Sequence, residues 1–375
     1  MNKTSVPPVS KTIELDLPRE GPSTAGKPTR LYKPIFISGL RKSGTSMTKD
    51  LLDGHPDLYV FPPNELHFFR FTDHDSIVKD KLARESDLEK LKMLVATQKF
   101  VDQLEKRSRM KTLIDFETYH RIVRDARVAS HAEIYQTILF AMAKASPWFQ
   151  GDVLATRFVS KSVLETEYVP DLVRWFPDMK FIYVLRNPYG HFNAIRWSMR
   201  SQGEVDTRTK KFSAWRHPYP YLGPELKRMK LSYYFMRRWK RLYPEHFDVL
   251  VYDRLVLNPE EELRKLCAFL ELEFHECLLG TTKCGESRAR GGWTTDQNRT
   301  DNSIDPSPAT RWREQISPLE IRLVNRYFAG EIEEFGFEVI PSRASRLLPF
   351  HNSERPTTYV LNRMLFASSV AAVWD

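Results

Sequence analysis

Short apolar runs alternate with helical stretches along most of this 375-residue chain. Five of the apolar runs predict strands, at residues 35–37, 58–60, 153–160, 181–185 and 249–252. The run from Phe181 to Leu185 is apolar throughout, as expected for a strand that is buried on both faces. The alternation therefore predicts an α/β fold, in which helices cover both faces of a parallel sheet.

One helical block interrupts this alternation, between about residues 75 and 146. In it, Ser86 and Glu89 have the spacing of a capping box at the start of a helix. We interpret the block as a helical insertion in a single domain that covers residues 33–341. The polar, proline-rich residues 1–32 predict a flexible N-terminal arm, and we expect residues 342–375 to form a C-terminal tail.

The composition is that of an ordinary globular protein, with 41% hydrophobic and 28% charged residues. It excludes a chain that is disordered throughout, a collagen-like repeat and a protein with several membrane spans. The first residues contain no apolar segment of the kind found in signal peptides, and no stretch approaches the roughly 18 apolar residues of a membrane span. We therefore expect a cytoplasmic protein without a membrane span.

The charge balance favours an anionic partner. Lys and Arg number 57 against 48 Asp and Glu, which gives a formal charge of +9. Such an excess attracts a phosphorylated cofactor, a polyanion, nucleic acid or a membrane surface. The three cysteines, Cys267, Cys277 and Cys284, are too few for a disulfide framework or a four-thiolate metal site.

The segment GLRKSGTS lies between the first predicted strand and the first predicted helix, Thr45 to Leu52. Gly39 and Gly44 have the spacing of the two glycines of a Walker A loop, and such a loop lets backbone N–H groups converge on an anion. Thr45 stands where a Walker A loop has lysine, and the cations Arg41 and Lys42 lie upstream instead. The alternative is a plain strand–turn–helix corner with solvated basic side chains.

The segment NELHFF follows the second predicted strand and contains Glu65. In open α/β sheets, ligands collect at the carboxyl edge of the strands. A carboxylate at that edge, opposite Lys42, could deprotonate an acceptor while the cation stabilises a departing anion. The alternative is that Glu65 is a surface or capping residue.

Three segments together, GLRKSGTS, HPDLYVFPPNELHFF and FIYVLRNP, resemble the sulfotransferases that use 3′-phosphoadenosine-5′-phosphosulfate (PAPS). Within NELHFF the likeness is nearest to the glycan O- and N-sulfotransferases of the heparan sulfate type. The resemblance extends with gaps over roughly residues 34–340. It implies a P-loop-type fold, transfer of a sulfuryl group from PAPS to a hydroxyl or amino group of a small molecule or glycan, and no metal.

The resemblance also implies roles for individual residues. Lys42 would hold the bridging and leaving oxygens, Glu65 would be the general base, and His67 would lie beside it. Lys161, in Lys161-Ser162 after the third strand, would stabilise the acceptor or sulfuryl oxygens. The remaining contacts to the 5′-phosphosulfate would come from Arg41, Ser43, Gly44, Thr45 and Ser46.

The motif Arg186-Asn187-Pro188 resembles the family element that binds the 3′-phosphate. Arginine suits a phosphate because its planar fork donates two hydrogen bonds. The family pattern has a serine eight residues after this arginine, whereas this chain has Ala194. That difference removes one hydroxyl donor, although Asn193 and Ser198 lie close by on the same predicted helix.

Two further segments resemble family elements that contact the cofactor. Tyr252, in YDRL after the fifth predicted strand, is one candidate contact, and the neighbouring Asp253 has the alternative interpretation of a Walker B acid. In the late segment ATRWREQISPLEI, Arg311 is the favoured basic contact, with Arg290 of SRARGGW as its competitor.

Two other function classes compete with the sulfotransferase. A P-loop kinase or NTPase would need Mg²⁺ and a lysine in place of Thr45. A polyanion- or nucleic-acid-binding protein would use the basic and aromatic patch from Arg208 to Tyr219, but basic and acidic residues are otherwise intermixed and we do not expect a nucleic acid partner. The stretch 203–224 is also a candidate lid over the acceptor.

Overall fold

A computed structural model of the chain describes residues 33–62, 65–66, 68–70, 87–108, 114–163, 165–201, 219–287 and 302–341. Its main sheet has five strands in the order β2-β3-β1-β4-β5, and every neighbouring pair is parallel. The predicted α/β fold with a parallel sheet is therefore confirmed. The predicted arm at 1–32 and tail at 342–375 lie outside the described residues, and the domain limits stay a prediction.

The elements of this fold are short strands joined by helices. The strands are β1 (Ile35–Ser38), β2 (Leu58–Val60), β3 (Arg157–Lys161), β4 (Lys180–Leu185) and β5 (Phe247–Val251), with a small hairpin of β6 (Thr282–Lys283) and β7 (Glu286–Ser287). The helices are α1 (Thr45–Leu52), α2 (Leu88–Val95), α3 (Gln98–Ser108), α4 (Phe116–Asp125), α5 (His131–Lys144), α6 (Val169–Trp175), α7 (Pro188–Ser201), α8 (Tyr219–Leu242), α9 (Tyr252–Leu257), α10 (Pro259–Leu270), α11 (Trp312–Gln315) and α12 (Pro318–Glu334).

The two faces of the sheet carry different side chains, because successive residues of a strand point to opposite faces. One face is largely aromatic, and its central members are Phe36, Tyr59, Phe158, Phe181 and Tyr183. It packs against helices that include α5, α7, α8 and α12. The other face is aliphatic, with Ile35, Ile37, Val159, Ile182 and Val184, and it packs against α1, α9 and α10. Helices thus cover both faces, as the sequence predicted.

Helices α2 to α5 lie between β2 and β3 in the chain. Along α5 every residue from Ala132 to Ala143 is buried. The predicted Ser86 cap of α2 is wrong, because the N-cap is Asp87, whose carboxylate accepts hydrogen bonds from the backbone N–H groups of Glu89 and Lys90. A carboxylate can cap as well as a hydroxyl, so sequence alone does not separate two neighbouring candidates.

Strand β3 begins at Arg157, four residues later than the pattern predicted. The residues before it form a turn around Asp152, whose side chain accepts from the backbone of Leu154 at 2.9 Å and whose carbonyl accepts from Ala155 and from the Thr156 hydroxyl. These local hydrogen bonds take the place of the strand-to-strand hydrogen bonds that would have extended β3 toward residue 153. Within the described part of the chain, no helix is both long and apolar enough to cross a membrane.

Candidate functional site

The predicted site residues follow the carboxyl ends of the five parallel strands, all at one edge of the sheet. The segment with Glu65 follows β2, Lys161 ends β3, the GLRKSGTS loop follows β1, Arg186 follows β4 and Tyr252 follows β5. Because β1 is the central strand, the loop lies between Glu65 and Lys161 on one side and Arg186 and Tyr252 on the other. Ligands of open α/β sheets bind at such a switch point in strand order.

The GLRKSGTS loop has a backbone shape that few sequences permit. Gly39, Lys42 and Gly44 have φ angles of 138°, 67° and 112°, all in the region that favours glycine. A Cβ at Gly39 would lie 2.6 Å from the carbonyl oxygen of Val184 in β4. The loop therefore packs directly on the neighbouring strand before it leads into the first turn of α1.

Two polar groups of this loop are notable: the buried hydroxyl of Ser43 and the backbone carbonyl of Arg41, which a histidine of α7 binds. The Ser43 side chain is 1% exposed, and its Oγ has no hydrogen-bond partner among the described residues. The Nε2–H of His191, on α7, donates to the Arg41 carbonyl at 2.8 Å. Burial lowers the pKa of His191 to about 3, so this ring is neutral at physiological pH.

Arg186 joins the loop to two other segments. Its Nη1 donates to the Lys42 carbonyl at 3.1 Å, its Nη2 donates to the Pro308 carbonyl at 3.0 Å, and the guanidinium lies 4.8 Å from the centre of the Tyr252 ring. The Nε of Arg186 is buried and has no hydrogen-bond partner among the described residues. Two of the five N–H donors of this guanidinium are used by carbonyls, so the group both braces the loop and keeps donors for an anion.

Tyr252 lies under the first turn of α1. A Cβ on Gly44 would come within 2.2 Å of the Tyr252 ring, so the ring fills the space beside that glycine. The Tyr252 ring is thus packed between the loop and the Arg186 guanidinium. This arrangement fits the predicted place of Tyr252 near the cofactor, and the contact itself stays a prediction.

Asp253 supports the segment after β4 through one oxygen of its carboxylate. Its Oδ2 accepts a 2.6 Å hydrogen bond from the backbone N–H of Asn187. Burial raises the pKa of this carboxyl, while the charge of Arg186 opposes that shift. No group of three or more His, Cys, Asp or Glu side chains that could hold a metal occurs in the described part of the chain.

The surroundings of Ala194 commit the neighbouring Asn193 to other partners. Asn193 donates to the Gln315 side chain at 2.9 Å, and its oxygen accepts from Arg196. Arg196 in turn makes two 2.6 Å hydrogen bonds to Glu320. Both ends of the Asn193 amide are therefore engaged, by Gln315 of α11 and by Arg196 of α7, which makes Asn193 a poor substitute for the family serine.

Glu65 and Lys161 form an ion pair. Lys161 Nζ donates to Glu65 Oε1 at 2.9 Å, and the side chains are 5% and 19% exposed for Lys161 and Glu65 respectively. The sequence predicted both residues for the site, and the structure brings them together. His67 lies outside the described residues.

Two contacts hold the segment that carries Glu65. Lys49 of α1, which is 2% exposed, donates to the Pro62 carbonyl at 3.0 Å. Beyond Glu65, the Phe69 ring stacks on Tyr168 with the ring centres 4.0 Å apart. The first contact ties the segment to α1 and the second ties it to the turn after β3, so Glu65 lies between two anchored points.

Arg311 precedes the short helix α11 and is half-buried. Its backbone N–H donates to the Ser307 carbonyl at 2.9 Å, within the same late segment whose Pro308 carbonyl binds Arg186. The next residue, Trp312, stacks on Tyr189 at 5.2 Å. Arg311 is thus on a segment that reaches the site, whereas its competitor Arg290 lies outside the described residues, as does most of the basic patch and candidate lid.

Three polar residues near the site are buried, although the sequence did not predict it: Lys49, Glu165 and His191. A charged side chain on a predicted helix is most often solvated, so Lys49 gave no signal. His191 was detectable only as a polar residue on the apolar face of a predicted helix. Glu165, in the turn after β3, was hidden because its burial depends on Tyr135, 30 residues away.

The model of a family described as the Sulfotransferase family matches residues 34–276, which confirms the resemblance seen in the sequence. An uncharacterized protein of Aquifex aeolicus (strain VF5) is 23% identical over 340 residues, or 89% of this chain, and the chain spans 38% of that protein's length.

Two solved structures are similar at low identity. The sulfotransferase domain of the Synechococcus PCC 7002 olefin synthase is 20% identical, with a TM-score of 0.46 over 82% of this chain and 96% of that domain. The mouse sulfotransferase SULT7A1, crystallised with PAP, is 12% identical, with a TM-score of 0.40 over 80% of this chain and 84% of that one.

Proposed function

This chain belongs to the sulfotransferase family, and we propose that it transfers a sulfuryl group from PAPS to a hydroxyl or amino group of an acceptor. The observation that carries the proposal is the Lys161–Glu65 ion pair at the same sheet edge as the GLRKSGTS loop. A plain strand–turn–helix corner has no need of a paired carboxylate at the neighbouring strand ends.

The loop suits the sulfate-bearing end of PAPS. Backbone N–H groups at the start of α1, the buried Ser43 hydroxyl and the Lys42 ammonium make an anion site of the kind found at helix N-termini. Arg41, Gly44, Thr45 and Ser46 complete the loop. In this proposal Lys42 stabilises the charge that develops on the departing phosphate as the S–O bond breaks.

The other side of the loop suits the nucleotide. Arg186 keeps buried donor capacity at its Nε, and it is assigned to the 3′-phosphate. The Tyr252 ring and Arg311 are assigned to the same nucleotide. Because Ala194 supplies no hydroxyl and Asn193 is already engaged, Arg186 carries more of the 3′-phosphate recognition here than the family pattern would require.

Glu65 and Lys161 are assigned to the acceptor, and His67 is assigned to it from the family resemblance alone. Glu65 is partly exposed, so an acceptor hydroxyl or amine can reach it, and it takes the acceptor's proton as the new O–S or N–S bond forms. Lys161 keeps this carboxylate in place and stabilises the oxygens of the transferred group. Positioning and charge neutralisation then do most of the catalytic work, as in phosphoryl transfer.

Calorimetric titration separates this proposal from its rivals. The protein is titrated with 3′,5′-ADP, with ATP plus Mg²⁺ and with a DNA duplex, and radiolabelled PAPS is then supplied with a panel of alcohols, phenols, amines and desulfated glycans. We expect 3′,5′-ADP to bind at least tenfold more tightly than ATP plus Mg²⁺, and label to pass to a panel member. Preference for ATP with Mg²⁺, or binding of DNA alone, would overturn the proposal in favour of a kinase or a polyanion-binding protein.

A further inference from the structure

Glu165 is a carboxyl group buried behind the Lys161–Glu65 ion pair. It begins the 3₁₀ turn Glu165–Tyr168 after β3 and is 1% exposed. Its Oε1 accepts a 3.0 Å hydrogen bond from the Tyr135 hydroxyl, and its Oε2 has no hydrogen-bond partner among the described residues. The proposed mechanism makes no use of this group.

We propose that Glu165 is a positioning residue of the site: held as a neutral carboxylic acid, it leaves the Lys161 ammonium bound to Glu65 alone. This inference rests on the proposed function, since it concerns the base and the lysine of that reaction. It assigns to the buried residue a role that the sequence gave no reason to expect.

The arrangement of charges supports a neutral Glu165. The Glu65 carboxylate and the Lys161 ammonium both act electrostatically on Glu165, and two interacting carboxyl groups disfavour ionisation of both. The proton then stays on the more buried carboxyl, which is Glu165 at 1% exposure and not Glu65 at 19%. An unpaired Oε2 costs less free energy as part of a neutral acid than as part of a buried anion.

The titratable and charged groups that act on Glu165 come from three elements: Tyr135 on α5, Lys161 on β3 and Glu65 after β2. Burial raises the pKa of Glu165 to about 8, the Tyr135 hydrogen bond and Lys161 lower it, and Glu65 raises it. Strand β1 and α8 also contact this turn, through hydrogen bonds of Ser38 and Trp239 to Thr166, and neither of those side chains carries a charge.

An ionised Glu165 would weaken the site. It would offer Lys161 a second anionic partner behind the first, and so draw the ammonium away from Glu65 and from the transferred group. The neutral acid therefore keeps both the base and the cation at the acceptor side.

Urea unfolding between pH 4.5 and 9 tests the protonation state without any assay of activity. We compare the wild-type chain with Glu165→Gln, a neutral isostere, and with Glu261→Gln as the control. In the unfolded chain Glu165 loses its proton near pH 4.5, whereas in the folded protein it keeps the proton to a higher pH. Folding of the wild type therefore becomes less favourable as pH rises. The folding constant of the wild type divided by that of Glu165→Gln should fall accordingly. The fall is about tenfold per pH unit until about pH 8, and the ratio is level above that.

Glu261 is the matched control because it is exposed, its pKa is lowered by Lys265, and it lies on α10 on the other face of the sheet. The folding constant of the wild type divided by that of Glu261→Gln should stay constant from pH 5.5 to 8. A flat ratio for Glu165→Gln as well would show that Glu165 is ionised in the folded protein, and the inference would fail whatever the enzyme does.

Turnover tests the positioning role. Glu165→Ala should lower kcat about tenfold by releasing the ion pair, and Glu165→Gln should restore most of that loss, with the dissociation constant of 3′,5′-ADP nearly unchanged in both. Above pH 8, wild-type kcat falls relative to that of Glu165→Gln. A constant ratio there would overturn the positioning role.

If wild type binds no 3′,5′-ADP, the proposed function itself fails, while the unfolding comparison still reports on Glu165.

Discussion

The Tyr252 ring occupies the space that a side chain at Gly44 would need, with a Cβ at that position only 2.2 Å from the ring. The glycine also has a φ of 112°, which an L side chain rarely adopts. Two independent reasons therefore require glycine at the start of α1: the Tyr252 ring beside it and the positive φ of its backbone.

Gly44→Ala should lower the free energy of unfolding by about 3 kcal/mol or more, since it adds a steric clash to backbone strain. Gly285→Ala is the matched control, because Gly285 has a φ of 76° and open space within 4 Å of its Cβ position. It should cost only about 1–2 kcal/mol. Chemical denaturation of both variants checks the difference, and equal losses would mean that the Tyr252 contact is unimportant.

Arg186→Lys should reduce the preference for 3′,5′-ADP over 5′-AMP by at least about tenfold, because lysine keeps the charge but loses the planar fork. It also loses the simultaneous bonds to the Lys42 and Pro308 carbonyls. The control is Arg237→Lys, which alters a pairing of α8 with Glu331 and Glu334. Calorimetric titration measures both, and a wild-type protein with no such preference would contradict the 3′-phosphate assignment.

His191 should make the protein sensitive to mild acid. Its pKa is about 3 in the folded chain against an ordinary value of 6.5, so the unfolded chain binds a proton first as pH falls. The folding constant of wild type relative to His191→Asn should therefore fall about tenfold per pH unit below pH 6.5. Urea unfolding at pH 5 to 7.5 measures this ratio, and parallel stability curves would show that the ring is not buried in its neutral form.

Lys42→Ala should lower turnover by about 10²–10⁴-fold at saturating PAPS, if its ammonium stabilises charge on the departing phosphate. Because Lys42 has a φ of 67°, the alanine variant keeps the backbone strain that lysine already has, and Lys42→Gly is the control that relieves it. The two variants should be equally slow, with the glycine form the more stable. A loss of less than tenfold in both would remove Lys42 from the chemistry.

Local patterns in the sequence were sufficient for the parallel sheet and for the glycine-rich turn between β1 and α1. Helix α1 begins and ends where predicted, at Thr45 and Leu52, and Gly44 marks its start. The family resemblance assigned both Glu65 and Lys161 to the site, but the ion pair between them was not predicted and is seen only in the structure.

The features that the sequence did not reveal depend on distant contacts. Arg186 binds a carbonyl at Pro308, 122 residues away, and Glu165 is buried by a helix of the insertion. Neither partner can be inferred from spacing along the chain. The same reason explains why Asn193 looked like a substitute for the missing serine, although Gln315 and Arg196 already bind it.

The comparison of Glu65→Gln with wild type tests the central proposal most directly. Glutamine keeps the shape of the side chain and removes its basicity, so the measurement pairs calorimetric binding of 3′,5′-ADP with sulfate transfer from radiolabelled PAPS to the best acceptor of the panel. We predict nearly unchanged binding and turnover lower by about 10²–10⁴-fold, the range for a positioned base. Unchanged turnover would contradict the role of Glu65 as base, and lost nucleotide binding would mean that it only supports the structure through Lys161.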